Sequence, residues 1–257
     1  MLGRATARLH APPRRWLRHI YGIADIHDRQ KWSAVWPQLA LLPERDVRLL
    51  DAGCGDGSWS LELAARRPEW QIVGIDHDRG AIETAERNRR RLALDNVSFV
   101  ESDFLDYRAT GSFQAVLSVA SAHYLAAHGK GVELFARFHE WLQPGGCLVF
   151  LGPRRAGDAW FAPWLFRPHG HSVFTAEELT SLCRQSALRV ELLAGRIGRL
   201  GTLAKQLQWE AHSRSRILGR LLHPLSWILS ALDSRLRQRD DRRTMTLLLV
   251  ARAVKPE

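Results

Sequence analysis

Between residues 48 and 152 short apolar runs alternate with stretches of helical periodicity, and this alternation narrows the fold more than any other feature. Residues 47–52, 71–75, 97–100, 115–119 and 147–152 are short, apolar and bounded by Gly, Asp or Pro, as strands buried on both faces are. Residues 59–66, 80–94 and 132–142 between them read as helices. Such a series closes into a doubly wound, mainly parallel α/β sheet with right-handed crossovers. Residues 189–196 and 245–254 read as two more strands. Residues 24–42 read as a leader helix, or two helices broken near Pro37. A further helix is opened by Thr175, whose spacing to Glu178 is a capping-box signature. No repeat or low-complexity tract is visible, which excludes solenoids and propellers.

A chain of 257 residues, 46% hydrophobic and 25% charged, has ample material for one large core. Cys54, Cys147 and Cys183 are far apart and odd in number, so they give neither a disulfide framework nor a metal set and suit a reducing compartment. His169-x-His171 lacks a third ligand at sensible spacing, and no metal is expected. No run approaches the ~18 apolar residues of a spanning helix, and the basic N-terminus lacks the apolar core of a secretory signal. The net charge of +10 is unevenly placed: residues 1–31 carry +5, residues 32–188 carry −3 and residues 189–243 carry +7. A mildly acidic core therefore has two basic flanks, which suit an anionic membrane, a nucleic acid, an acidic substrate or simply a solvated face.

The first strand runs into Asp51-Ala52-Gly53-Cys54-Gly55-Asp56-Gly57, and a helix follows from Ser58, which is expected to cap it. Glycines here let a ligand approach the backbone. The spacing is not the Gly-x-Gly-x-x-Gly of a dinucleotide site, and no lysine follows as in a phosphate loop. Asp51 and Asp56 would repel a pyrophosphate, so a cofactor with positive charge at this end fits better. The second strand ends at Asp76, where a carboxylate can accept from both ribose hydroxyls. The third runs into Ser102-Asp103-Phe104, where Asp103 can accept from an adenine amino group and Phe104 can cover the ring.

These segments resemble the class I S-adenosylmethionine (SAM)-dependent methyltransferases. Leu49 to Gly57 resembles their first motif, Gly74-Ile75-Asp76-His77-Asp78 the acidic second motif, and Glu101-Ser102-Asp103-Phe104 the adenine motif. Leu142-Gln143-Pro144-Gly145-Gly146 resembles the turn into the fifth strand. The resemblance implies SAM as cofactor and a seven-stranded, mostly parallel sheet of order 3-2-1-4-5-7-6, with the seventh strand antiparallel. The cofactor contacts it implies are Asp51, Gly53, Cys54, Gly55, Asp76, His77, Ser102, Asp103, Phe104 and Ser118. The domain reading is a basic leader (1–42), a SAM-binding core (43–199), a basic helical cap inserted between strands six and seven (200–244), and the final core strand (245–257).

The acceptor should lie beyond the fourth and fifth strands. Ser118-Val119-Ala120-Ser121-Ala122-His123-Tyr124 is neither Asn-Pro-Pro-Tyr nor Asp-Pro-Pro-Tyr, which disfavours amino-group methylation of adenine or glutamine. His123 is the candidate general base; the alternative is that it packs beside the cofactor and moves no proton. The aromatics of Trp160-Phe161-Ala162-Pro163-Trp164-Leu165-Phe166 wall an apolar acceptor or form a satellite core. Tyr21, Asp25, His27, Asp28, Arg29 and Trp32 form a polar–aromatic cluster in the leader. In the insertion Leu218, Leu221, Leu222, Leu225, Ile228, Leu229, Leu232 and Leu236 recur at helical spacing, with Pro224 kinking the helix or starting a second. That stripe is expected to pack as a cap over the acceptor, to meet an anionic membrane interface, or both.

The expected activity is methyl transfer to a small-molecule or lipid-linked acceptor, at oxygen, in the cytoplasm or at the inner membrane surface. A nucleic-acid methyltransferase using the basic flanks and a non-catalytic SAM-binding subunit are the alternatives. The leucine-interleaved basic stripe speaks against nucleic acid as partner. The oligomeric state is left open.

Overall fold

The computed structural model describes residues 26–109, 113–122, 125, 129–154, 174–236, 244 and 246–254. Its core is one seven-stranded sheet: β1 (Arg48–Ala52), β2 (Gln71–Asp76), β3 (Val97–Glu101), β4 (Phe113–Val119), β5 (Leu142–Pro153), β6 (Leu188–Arg196) and β7 (Thr246–Ala253). Their order is β3-β2-β1-β4-β5-β7-β6. The first five pair in parallel, and β7 runs antiparallel between β5 and β6. This is the doubly wound sheet and the strand order expected above.

The helices among the described residues are α1 (Ile26–Leu39), α2 (Ser58–Arg66), α3 (Arg79–Leu92), α4 (Gly131–Trp141), α5 (Ala176–Gln185), α6 (Arg199–Arg214) and α7 (Arg216–Leu236). On one face of the sheet Val35 and Leu39 of α1 and Leu61 and Leu63 of α2 pack on Leu49, Ile72, Leu117 and Val149. On the other, Phe135 and Phe138 of α4 and Leu179 and Cys183 of α5 pack on Leu50, Val116, Phe150 and Leu249. Alternate strand residues thus serve opposite cores, which is why the strands read as unbroken apolar runs.

The fold bears on three local expectations. Pro37 does not divide the leader; it lies in the last turn of α1, and Ala40 closes the helix by donating to Trp36 O at 2.8 Å. Ser58 does not cap α2. Gly57 holds the cap position in the left-handed conformation, and the Asp56 carboxylate takes both the Ser58 hydroxyl and its amide. Pro224 does not start a second helix, because α7 runs through it; the insertion breaks at Ser215, whose backbone is extended (φ −161°, ψ 133°). The Thr175–Glu178 capping box forms as expected, with reciprocal bonds of 3.1 and 2.9 Å.

One side chain ties α2 to the sheet in a way that no pattern announced. The Asn96 amide nitrogen, just before β3, donates to the carbonyls of Ala64, Arg67 and Trp70, each at 3.1 Å. These belong to the end of α2 and the loop into β2; Arg67 O also accepts from Trp70 N at 3.0 Å, so it is the Ala64 and Trp70 carbonyls that need the donor. Trp70 beside them is fully buried, with Nε1 donating to Pro43 O at 3.0 Å. Asn96→Ala should therefore destabilise the fold by roughly 1–3 kcal/mol, the cost of half-buried carbonyls left unpaired. Denaturant unfolding monitored by tryptophan fluorescence measures it.

Candidate functional site

The site forms where β1, β2 and β3 end side by side, with the end of β4 next to β1. The glycine turn leaves β1 and is clamped at once to its neighbour: Gly53 and Cys54 both donate their amides to Ile75 O, at 2.8 and 2.9 Å. Gly55 donates to Asp76 Oδ2 at 2.9 Å, and Asp78 donates to Asp76 Oδ1 at 3.0 Å. Asp76 therefore organises the turn as well as facing a ligand. Asp78, the next acid, caps α3 by accepting from Gly80 and Ala81 at 2.8 and 3.2 Å.

Sterics explain the glycine spacing. Gly53 has φ +80°, and a Cβ there would lie 2.2 Å from Ser121 Cβ and 3.0 Å from Phe104 Cζ. The ends of β3 and β4 thus close directly on the turn. At Gly55 (φ +55°) no atom lies within 4 Å of the Cβ position, so the middle of the turn fronts open space.

Asp51 is turned inward. It is 2% exposed, and its carboxyl accepts from the Ser60 hydroxyl of α2 at 2.6 Å. Burial pushes its pKa up to about 7; the Ser60 bond opposes this, and the negative charge of Asp76 adds to it. Burial also raises the Cys54 thiol far above its ordinary range, reinforced by Asp51, Asp76 and Asp56. Cys54 is therefore an inert thiol, not a nucleophile. His77 is exposed, with Nδ1 3.4 Å from Asp76 Oδ1.

After β3, the Asp103 carboxylate is exposed and holds its own turn by accepting from Leu105 N at 2.9 Å. Phe104 is half-buried against the glycine turn, and Ser102 Oγ donates to Asp103 O at 3.1 Å. Buried Ser118 lies with its Oγ 3.0 Å from Ser121 Oγ, and Ser121 donates to Ala52 O at 2.9 Å. Ser121 is the site residue that sequence reasoning passed over. Its signal is a second hydroxyl three residues after Ser118, where the chain leaves β4.

The donor set fits SAM. Each Asp76 oxygen spends one acceptor site on an amide and keeps capacity for ribose hydroxyls. Asp103 presents a carboxylate and Phe104 a ring beside the turn, and the open front of Gly55 admits a ligand to the backbone. Four carboxyl groups in and around the turn (Asp51, Asp56, Asp76 and Asp103) favour a cationic ligand over a pyrophosphate. His123, Tyr124, the aromatic segment 160–166, His169, His171, Tyr21 and Asp25 lie outside the described residues, as do the side chains of His27 and Asp28. Of the leader cluster, Arg29 stacks 3.2 Å from the ring centre of Trp227 on α7, and Trp32 packs on Trp36 and on Trp59 of α2.

Fold and site together resemble those of the class I SAM-dependent methyltransferases. Residues 49–146 match the family described as "Methyltransferase domain". It is 38% identical over 80 residues to the release factor glutamine methyltransferase of Escherichia coli K12, covering 31% of this chain and 29% of that protein. To the malonyl-[acyl-carrier protein] O-methyltransferase of Legionella pneumophila it is 32% identical over 138 residues, 51% of this chain and 46% of that one. The match thus spans under half the length of either relative. Among solved structures, the N-methyltransferase NodS of Bradyrhizobium japonicum in complex with S-adenosyl-L-homocysteine superposes with a TM-score of 0.60 at 18% identity, covering 98% of both chains. The geranyl diphosphate C-methyltransferase of Streptomyces coelicolor superposes with a TM-score of 0.62 at 18% identity, covering 96% of this chain and 89% of that one.

Two predictions follow from the carboxylates. The native Asp51 holds its proton more tightly than the unfolded chain does (about 7 against 3.8), so its contribution to stability is lost as pH rises between those values. Asp51→Asn should flatten that decline, giving the unliganded variant a smaller drop in Tm than wild type between pH 5 and 8. Asp76→Ala should weaken SAM binding about ten- to a hundredfold, the worth of hydrogen bonds to a charged acceptor. It should lower Tm as well, because the Gly55 and Asp78 amides lose their partner; calorimetry and thermal unfolding separate the two effects.

Proposed function

We propose that this chain is a SAM-dependent methyltransferase that methylates an oxygen of a small-molecule or lipid-like acceptor. The observation that carries the reading is a convergence at one edge of the sheet. The glycine turn, Asp76, Asp103 and Ser121 all sit where parallel strands end, and β6, parallel to them through β7, ends at that same edge and leads into α6 and α7. The added helices therefore start on the side where an acceptor must approach, which supports their role as a cap.

Bound SAM would supply an electrophilic methyl group on a sulfonium. Asp76 would hold the ribose hydroxyls, Asp103 the adenine amino group and Phe104 the ring face. Transfer is an in-line displacement, so the chain's main work is to align the acceptor and exclude water. Where the acceptor loses a proton, His123, two residues beyond Ser121, is our candidate base.

The segment after β4 supports oxygen over an amide nitrogen. It presents Ser121, hydrogen-bonded to Ser118 of β4, and lacks the Asn-Pro-Pro or Asp-Pro-Pro that would grip a planar amino group. The carrier-protein relative, an O-methyltransferase by name, points the same way.

The test uses the full chain with methyl-tritiated SAM and a panel of carboxylic acids, phenols and long-chain hydroxylated lipids, beside RNA and glutamine-containing peptides. Label should enter an oxygen acceptor, and His123→Ala should lose the acidic limb of the pH–rate profile. Transfer confined to RNA or peptide amide overturns the acceptor class. SAM binding without transfer to any acceptor argues for an accessory subunit.

A further inference from the structure

The outer face of α7 is inverted relative to a helix that packs on its own domain. Leu221, Leu225, Ile228 and Leu232 stand at steps of four, three and four residues and so share one face; they are 71%, 45%, 56% and 42% exposed. The side turned inward holds the polar groups. Ser226 and Asp233 are buried, Asp233 Oδ2 accepts from Gly198 N at 2.8 Å, and Ser230 Oγ accepts from Gln30 Nε2 at 3.0 Å. Half-buried Leu222 and Leu229 complete that inner side. Water selects the opposite arrangement, with apolar residues in and polar ones out.

The charge pattern identifies what the outer face meets. Asp233 is the only acid in α7, and it is spent on the inside, while the sequence places arginines at 214, 216, 220 and 235 on or beside the helix. Apolar residues with cationic neighbours and no outward acid are the makeup of a helix that lies in an anionic lipid interface. A second copy of the chain fits poorly, because the sequence gives each α7 three arginines and no acid beyond the buried Asp233, so two such helices repel. No helix among the described residues is long and apolar enough to cross a membrane, so the contact is one of lying on the surface. We propose that α7 docks the protein on an anionic membrane surface, with Leu221, Leu225, Ile228 and Leu232 entering the headgroup boundary.

Co-sedimentation of the full chain with vesicles of phosphatidylcholine, with or without phosphatidylglycerol, tests this directly. Wild type should sediment with the anionic vesicles at low salt and not with the neutral ones. A Leu225→Ser/Ile228→Ser variant should lose most of the binding while keeping its SAM affinity, which controls for folding. Arg216→Gln and Arg220→Gln should each weaken binding about fivefold, the equivalent of about 1 kcal/mol per charge near such a surface. No sedimentation at low salt, equal binding to neutral vesicles, or indifference to the serine variant overturns the proposal. Analytical ultracentrifugation supplies the remaining arm: a dimer dispersed by the serine variant, without vesicle binding, assigns the stripe to a second copy instead.

Discussion

The carbonyl of Ile75 accepts two amides from the glycine turn, and the carboxylate of the next residue accepts the amides of Gly55 and Asp78. Four backbone donors thus converge on two consecutive residues at the end of β2. A turn whose glycines have φ values of +80°, +55° and +77° would be costly to order by itself, since glycine gives up the most conformational freedom. The clamp offsets that cost by borrowing from the β1–β2 ladder, whose register continues up to Ala52 and Ile75. The rest of the site depends on this geometry. Phe104 and Ser121 can close on Gly53 only because the turn is held within reach of the ends of β3 and β4.

The same clamp gathers negative charge. Burial raises the pKa of Asp51, the Ser60 hydroxyl bond opposes it, and the charge of Asp76 across the turn adds to it. A buried carboxyl that burial would rather keep protonated is a cost to the unliganded fold. A positively charged ligand in front of the turn relieves it. The arrangement is therefore coherent for a sulfonium-bearing cofactor and poorly suited to a dinucleotide. It also silences Cys54, the thiol nearest the chemistry, by keeping it protonated.

How much of this could be read in advance follows the range of the interaction. Strand runs and the Thr175 capping box are local, and both were legible in the sequence, although β5 begins at Leu142, before the apolar run 147–152 that announces it. The sheet order came from motif resemblance, since periodicity alone cannot say that β7 inserts between β5 and β6. Prolines left alternatives open because their effect depends on position: Pro37 sits in a final turn, where little remains to be broken, and α7 continues through Pro224. The three carbonyls of Asn96 come from residues 26 to 32 positions away, and no spacing rule reaches that far. The leucines of the insertion were legible as a stripe, but the direction it faces was not. That was decided by Asp233 and Ser230, which a hydrophobic pattern passes over.

Ser230 also joins the leader helix to the insertion. Gln30 of the leader helix donates through Nε2 to Gly201 O on α6 and to Ser230 Oγ on α7, both at 3.0 Å, and Arg29 covers Trp227 one turn away. Gly201 is a glycine at a crowded place: a Cβ there would lie 2.9 Å from Asp233 Oδ2 and 3.1 Å from Gln30 Nε2. The leader and the insertion, some 170 residues apart, therefore meet as one helical layer with a polar seam. A polar seam of this kind is exacting, because a buried hydrogen-bonding group tolerates few alternative partners. It fixes the rotation of α7 about its axis. With Ser230 and Asp233 held inward, Leu221, Leu225, Ile228 and Leu232 are left on the outer side. The exposed apolar face is thus a consequence of how the two basic flanks recognise each other, rather than of a core too small to hold it.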